Sequence, residues 1–254
     1  MRVTWGTIVG LPGLAGCFLP IATGTPQPAT TVGEGRFGGA MAAEMPAVNL
    51  IADDPDEISP AAAGTFTLAY GLTDHTDVEL SLEGALYLFL LPLPTGASLG
   101  LRHNLVDGDG LALGLAARAG AVGVSDGDPE DPDKASSVYG AASLAMELGN
   151  GRVRPLLALQ GMGARITQEL GDADDGTFGG FIGSATLALP FRVGRGAVLG
   201  PYVAASWLST DRLVDQTLVS FGVTVAIRPE RPRAVIAAPV PGPAGGPPGT
   251  APSY

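Results

Sequence analysis

The chain has little of what several functional classes need. It contains one cysteine, Cys17, one lysine, Lys134, and two histidines among 254 residues. A single cysteine excludes an internal disulfide and a cysteine-based zinc site. The net charge of −11 at pH 7 and the pI near 4.5 argue against nucleic-acid binding, because basic surfaces that neutralise phosphates drive that binding.

Long apolar runs are also missing. No stretch approaches the roughly 18 uninterrupted apolar residues that a membrane-spanning helix needs, although 46% of the residues are hydrophobic and only 15% are charged. The mean hydropathy is +0.29. This combination is typical of a membrane β-barrel, in which apolar residues occupy every second position of each strand. A chain of this length commonly forms one all-β unit.

Alternation of apolar and polar residues is clearest at positions 65–88. From Val78 onward, alternate positions are apolar, and the intervening positions include Glu79 and Glu83. Such alternation gives a strand one apolar and one polar face, and the polar link 73–76 is short enough for a hairpin. Further strands are predicted at 36–45, 97–105, 111–122, 137–148, 153–168, 177–191, 198–208 and 217–227. The facing of 153–168 stays open, and Pro92 with Pro94 is expected to end the hairpin.

The links between the predicted strands alternate in length. Short links fall at 73–76, 106–110, 149–152 and 193–197, and all the remaining links are longer. Outer-membrane barrels pair short periplasmic turns with longer outer loops, whereas a soluble sandwich has no reason to keep its short turns at one end. We therefore predict an all-β, antiparallel up-and-down transmembrane β-barrel at 36–228. About ten strands are expected, eight or twelve also fit, and both termini are periplasmic.

The N-terminus has the features of an export signal. Arg2 precedes a short apolar stretch, and the small residues Ala15 and Gly16 come directly before Cys17. This ending resembles the bacterial lipobox, in which the cysteine becomes the lipidated first residue of the mature chain. We predict a signal peptide at 1–16, lipidation of Cys17 and a flexible tether at 17–35, which is rich in Pro, Thr and Gly. An incidental cysteine in a buried N-terminal element is the alternative.

A family resemblance supports this architecture. The run Tyr70-Gly71-Leu72-Thr73-Asp74, followed by Val78-Glu79-Leu80, resembles a hairpin that recurs in small, porin-like outer-membrane β-barrel proteins of bacteria. The resemblance covers about 36–227 as a pattern. It implies an outer-membrane location with outer-membrane lipids as partners, and it transfers no active site. The family often ends on an aromatic residue of the last strand, whereas this chain continues.

The residues after the last strand form a Pro/Gly/Ala-rich stretch at 229–254. Such a composition cannot build a core, so we expect a disordered or polyproline-like tail. The tail is a candidate contact for other components of the cell envelope.

Six residues on the polar faces are candidates for a lumen charge network: Glu79, Glu83, Arg102, Arg118, Tyr139 and Glu147. In a small barrel these side chains point inward together. Buried charges must pair there, because an unpaired one costs several kcal/mol. The network either fills the lumen with ion pairs or forms a charged constriction that selects solutes.

Signals for catalysis, metals and cofactors are weak. His75 lies in a predicted turn and His103 on the apolar face, so no Ser-His-acid arrangement emerges. Histidine ligands for a metal site are too few, and the acidic run 126–133 does not match a calcium-binding EF-hand loop. We predict a non-catalytic barrel without metal or cofactor, serving as a structural protein or narrow pore. The alternative is a soluble periplasmic β-barrel or β-sandwich lipoprotein that binds a small apolar ligand.

Overall fold

A computed structural model of the chain describes residues 24–49, 63–87, 91–108, 110–125, 134–149, 151–169, 176–194, 196–211 and 216–227. Regular secondary structure in these ranges is β-strand. The strands are β1 (Phe37–Asn49), β2 (Ala63–Thr73), β3 (Thr76–Tyr87), β4 (Leu91–Asp107), β5 (Leu111–Ser125), β6 (Lys134–Leu148), β7 (Leu156–Glu169), β8 (Gly176–Ala188), β9 (Phe191–Val193), β10 (Ala197–Thr210) and β11 (Gln216–Ile227). The described residues include no helix that is long and apolar enough to cross a membrane.

The strands form one sheet that closes on itself. Strands β1 to β8 pair antiparallel in chain order, and β10 pairs with both β8 and β11. The first strand, β1, pairs antiparallel with the last strand, β11, and this seam closes the ring. The short β9 pairs with β10 beside β8, so β8 and β9 share one position in the wall. The described residues therefore form a closed antiparallel barrel of ten strands, which confirms the predicted fold.

The two ends of the barrel differ in their connections. At the hairpin rim, consecutive strands are separated by few residues of sequence, at 74–75, 108–110, 149–155 and 194–196, and β1 begins and β11 ends there. At the opposite rim, consecutive strands are separated by 50–62, 88–90, 126–133, 170–175 and 211–215, most of which lie outside the described residues. The predicted alternation of short and long links is interrupted at 88–90, because β4 begins earlier than expected.

The early start of β4 corrects the prediction that Pro92 and Pro94 end the hairpin. Both residues belong to β4 and pair with β3, after a register shift between Glu83 and Gly84. Pairing of β4 with its other neighbour, β5, begins only at Gly96. Residues 91–94 therefore behave as an edge strand. Proline is tolerated in an edge strand because the N–H that it lacks is not needed on the unpaired side.

The alternation of residue types sets the two faces of the wall. On β3, Leu80 and Leu82 are exposed outward, whereas Glu79 and Glu83 are buried inward. The strand β7, whose facing the sequence left open, alternates in burial but not in residue type, since its inner residues Leu156, Met162 and Ile166 are buried and Leu157 is exposed. Because successive side chains of a strand point to opposite faces, apolar residues cover the outer wall, and the lumen is lined by polar residues together with small and apolar ones.

Residues 24–35 differ most from the expectation. They belong to the segment predicted as a flexible tether, but residues 24–32, called the lumen segment below, lie inside the barrel. Ala29 is 0% exposed and Val32 is 3% exposed. The segment has no strand pairing of its own, so its order comes from side chains of the wall. Residues 17–23, the rest of the predicted tether, lie outside the described residues.

A glycine turn joins the lumen segment to β1. Gly33 and Gly35 have φ values of 90° and 67°, which residues other than glycine rarely adopt. The Gly35 N–H donates to the Gly71 carbonyl, and the Gly71 N–H donates to the Arg36 carbonyl, both at 2.9 Å. A Cβ atom on Gly71 would overlap the Gly33 carbonyl. The turn thus fixes the point where the chain leaves the lumen at the hairpin rim.

Candidate functional site: the occupied lumen

Three buried carboxylates accept hydrogen bonds from the main chain of the lumen segment. Glu44 accepts from the Gly24 N–H at 3.0 and 3.2 Å, and Glu147 accepts from the Ala29 N–H at 2.9 Å. Asp77 accepts from the Val32 N–H at 2.9 and 3.2 Å. Hydrogen bonds to an ionised acceptor are stronger than neutral ones, so these contacts hold the segment at three points along its length.

Three wall residues donate to carbonyl groups of the same segment. Arg102 donates to the Thr30 carbonyl at 3.3 Å, and Asn104 donates to the Ala29 carbonyl at 3.1 Å. The Thr186 hydroxyl donates to the Gly24 carbonyl at 2.9 Å. Together with the carboxylates they form the segment-binding cluster, defined as Glu44, Asp77, Arg102, Asn104, Glu147 and Thr186.

Arg102 links this cluster to the strands around it. Its guanidinium forms an ion pair with Glu79 and a second one with Asp77 at 3.7 Å. It also donates to the Gln27 side chain at 3.2 Å. The Arg102 and Asp77 side chains are 5% and 0% exposed. A buried charge without its partner is strongly destabilising, so Arg102 stabilises both the wall and the segment.

Small residues let the segment approach the wall. A Cβ atom on Gly114 would overlap the Ala29 carbonyl, and one on Gly38 would lie 2.5 Å from Val32 Cγ1. Ala29 packs in a core cluster with Ala112, Ala145, Leu156, Ala158, Ala188 and Tyr202. The segment therefore packs directly against the wall at this level of the lumen.

A second cluster of buried charge on the inner face joins wall residues to one another and is called the Glu83 cluster. Glu83 Oε1 accepts from Ser98 Oγ at 3.0 Å, from Arg118 at 3.4 Å and from the Tyr139 hydroxyl. The Arg118 guanidinium lies 5.8 Å from the centroid of the Tyr139 ring. Tyr139 also packs against Val122, Ala141 and Met162. These contacts link β3, β4, β5 and β6.

The structure places all six predicted network residues on the inner face. It divides them into two groups, with Glu79, Arg102 and Glu147 at the lumen segment and Glu83, Arg118 and Tyr139 in the Glu83 cluster.

Sequence reasoning missed Glu44, Asp77 and Asn104 as contacts of the segment. One signal was available, since the predicted network already held more acids than arginines. A surplus of buried acid calls for further N–H donors, and the lumen segment supplies them.

The remaining candidates lie away from the lumen. His75 is exposed in the hairpin link, and His103 is exposed on the outer wall, where Nδ1 lies 3.0 Å from the Thr76 hydroxyl. Cys17 lies outside the described residues. Among the side chains that the structure describes, no group of three or more His, Cys, Asp or Glu residues is arranged to hold a metal ion.

Solved structures that resemble the chain are bacterial barrels. Neisserial surface protein A is 12% identical with a TM-score of 0.38, over 76% of this chain and 96% of that one. The translocator domain of the autotransporter NalP from Neisseria meningitidis is 12% identical with a TM-score of 0.41, over 76% and 88%. The outer membrane protease OmpT from Escherichia coli is 9% identical with a TM-score of 0.39, over 76% and 92%.

No protein-family model and no curated protein sequence matches the chain. At such low identities and TM-scores, the solved structures carry no argument about activity. The architecture rests on the strand pairing of the chain itself.

Proposed function

We propose that this chain is an outer-membrane β-barrel whose lumen is closed by its own N-terminal segment. It has a structural role, or acts as a narrow pore that opens when the segment moves, and it has no catalytic residues. The observation that carries the proposal is the combination of an apolar outer wall with a polar, occupied lumen.

The outer wall supports a lipid environment. Large apolar residues are exposed on every described strand, and Leu99, in the middle of β4, is 63% exposed. Soluble monomers rarely expose contiguous apolar patches larger than about a few hundred Å². The exposed acidic, basic and histidine side chains on described strands lie near strand ends: His103, Asp107, Arg165 and Arg192. Lipid around the middle of the wall removes the unfavourable contact between water and the apolar band.

Two aromatic pairs lie on the outer wall, one toward each rim. Phe37 and Tyr70 lie near the hairpin rim, with ring centroids 4.8 Å apart. Phe181 and Trp207 lie in the half nearer the opposite rim, with ring centroids 6.2 Å apart. Aromatic side chains are enriched at the two interfaces of a bilayer, and outer-membrane barrels carry a girdle at each. The outer wall therefore matches a barrel that spans a bilayer.

Two arginine substitutions test the lipid environment. In a bilayer, Leu99→Arg near the midplane is expected to cost about 2–4 kcal/mol, and Leu105→Arg near the rim about 0–1 kcal/mol. In water, both exposed substitutions would stay within about 0.5 kcal/mol. Urea unfolding in lipid vesicles, followed by the gel mobility of unboiled samples, measures the difference. Equal effects of the two variants, or a monodisperse β-rich monomer without detergent, would contradict the membrane proposal.

The filled lumen favours low conductance. Near the level of Glu147, Ala29 packs in one buried cluster with wall residues of β5, β6, β7, β8 and β10. In planar bilayers we expect the full chain to conduct less than a variant lacking residues 24–32, provided that both show the heat-dependent gel mobility of a folded barrel. Equal conductance would contradict closure by the segment. Absence of conductance in both would leave the structural role alone.

Export, lipidation and orientation complete the proposal. The described ends of the barrel, Phe37 and Ile227, lie at the same rim as the hairpin link 74–75. Short turns face the periplasm in outer-membrane barrels, so both barrel ends are assigned to that side. Mass spectrometry of the mature N-terminus tests acylation of Cys17. An unmodified cysteine or an uncleaved signal would contradict this part without affecting the barrel.

The proposal leaves no role for the two histidines in catalysis. His103 lies on the outer wall and His75 in a link, so neither faces the polar lumen. Outer membranes that contain the His103→Ala variant are expected to have the same lipid composition as those that contain the parent chain. A difference in lipid composition would favour an enzyme.

A further inference from the structure

We propose that the lumen is a binding channel for an irregular polypeptide main chain without strand pairing, and that the lumen segment occupies it in cis as an exchangeable ligand. The class of ligand is a proline-containing peptide that bends near its centre, as the segment does at Ala29 and Thr30, with small residues where it meets the wall. The proposal rests on the folded barrel and the contacts of residues 24–32, and it does not depend on whether the barrel conducts.

The wall recognises the main chain of the segment more than its side chains. Glu44, Asp77 and Glu147 accept from backbone N–H groups, and Arg102, Asn104 and Thr186 donate to backbone carbonyls. Main-chain atoms are common to all peptides. A site built from such contacts takes any peptide that can adopt the path of the segment and whose side chains fit.

The segment can leave without breaking the wall. The ring is closed by the pairing of β1 with β11 and of β10 with β11, and the segment forms no ladder with any strand. Its departure therefore breaks no strand ladder, only hydrogen bonds to wall side chains and the bond from the Thr31 hydroxyl to the Asp74 carbonyl. Buried carboxylates would then need new donors, which a second peptide provides through its own N–H groups.

Two prolines adapt the segment to this site. Pro26 and Pro28 have no N–H, so the buried segment needs fewer acceptors from the wall. Proline also restricts the free peptide to extended conformations. Less conformational entropy is then lost on binding, which raises the affinity of a free peptide for the lumen.

Steric limits define which peptides fit. The position of Gly24 leaves no room for a side chain, because a Cβ atom there would lie 2.9 Å from Glu44 Oε1 and would overlap Ala204 Cβ. Ala29 is fully buried, and its carbonyl meets Gly114. The channel therefore requires a small residue at each of these two positions.

The glycine turn offers a place to cut the tether after folding. Glu34 and Gly35 are exposed, so a recognition sequence for a site-specific protease can be inserted between them. The full chain is folded in detergent and cut, and its unboiled gel mobility is checked. A fluorescent synthetic peptide with the sequence of residues 24–32 is then added in excess, and its anisotropy is followed.

We expect the labelled peptide to bind the cut barrel at least about tenfold more tightly than the uncut barrel, where the cis segment competes. Glu147→Gln should weaken binding about five- to tenfold, since a charge-assisted hydrogen bond becomes a neutral one. Replacing Ala29 of the peptide with leucine should lower its affinity for the lumen at least about tenfold.

The matched control is Glu83→Gln, which neutralises a buried lumen carboxylate that bonds to Ser98, Arg118 and Tyr139 in the wall. It should leave peptide affinity within about twofold. Three results would overturn the proposal: no binding to a cut barrel that is still folded, equal binding to cut and uncut barrels, or equal loss in Glu83→Gln and Glu147→Gln. None of them bears on the membrane location, which the arginine substitutions test separately.

Discussion

The two charged clusters of the lumen use the same kinds of hydrogen bonds and ion pairs, but one holds the lumen segment and the other joins strands of the wall. In the segment-binding cluster, Arg102 and its carboxylates hold a piece of chain that is not part of the sheet. In the Glu83 cluster, Arg118 and Tyr139 converge on one carboxylate and join neighbouring strands. The comparison shows that burial of a charge does not reveal its role, since the role depends on whether its partner can leave.

The largest expected effect comes from removing the arginine of each cluster. Arg102→Met leaves Asp77 and Glu79 without their cation and should cost about 3–5 kcal/mol of unfolding free energy. The substitution should also expose the lumen segment, because the Arg102 contacts with Thr30 and Gln27 are lost. Arg118→Met should destabilise the wall but leave the segment in place. Urea unfolding and limited proteolysis with mass analysis of residues 24–32 measure both properties, and equal exposure in both variants would remove the distinction.

An intermediate effect is expected for Tyr139→Phe. The variant deletes the hydroxyl that donates to Glu83 and leaves a buried acceptor with one donor fewer, which should cost about 1–3 kcal/mol. Proteolysis of the lumen segment should not change. Faster cleavage of the segment in Tyr139→Phe would show that the two clusters are coupled.

The smallest effect on the wall is expected from a pair of glycine substitutions. In Gly114→Ala, the three atoms nearest to the new Cβ would all belong to Ala29, so about 1–3 kcal/mol of overpacking acts on the bound segment. Gly140→Ala faces open space on the outer wall and should stay within about 0.5 kcal/mol. The same proteolysis assay should show faster cleavage of the segment in Gly114→Ala alone. Similar cleavage in both variants would contradict the close approach at Ala29.

Much of the barrel could be predicted because a strand shows its two faces within its own residues. The alternation around Leu80 and Glu79 needs no knowledge of distant contacts. The exceptions have identifiable causes. Pro92 and Pro94 are tolerated in β4 because pairing to β5 starts only at Gly96, and the neighbour that a strand lacks is not visible in its own sequence.

The lumen segment could not be predicted from its own residues. Its composition has no period and resembles that of a linker, and the groups that order it lie far along the chain. Glu147, for example, is 118 positions from Ala29, and Arg102 is 75 positions from Gln27. Contacts of this kind depend on the closed ring, which brings side chains from separate strands to one level of the lumen.

The position of Gly24 has a consequence for the order of folding. Glu44 of β1 accepts from both the Gly24 N–H and the hydroxyl of Ser220 in β11, 176 positions away. Such distant pairing carries the largest loop-closure entropy and makes a late step in folding slow. The Gly24 end of the segment therefore reaches its full set of contacts only when the first and last strands pair. The time at which the Gly24 amide becomes protected from hydrogen exchange would report when the barrel closes.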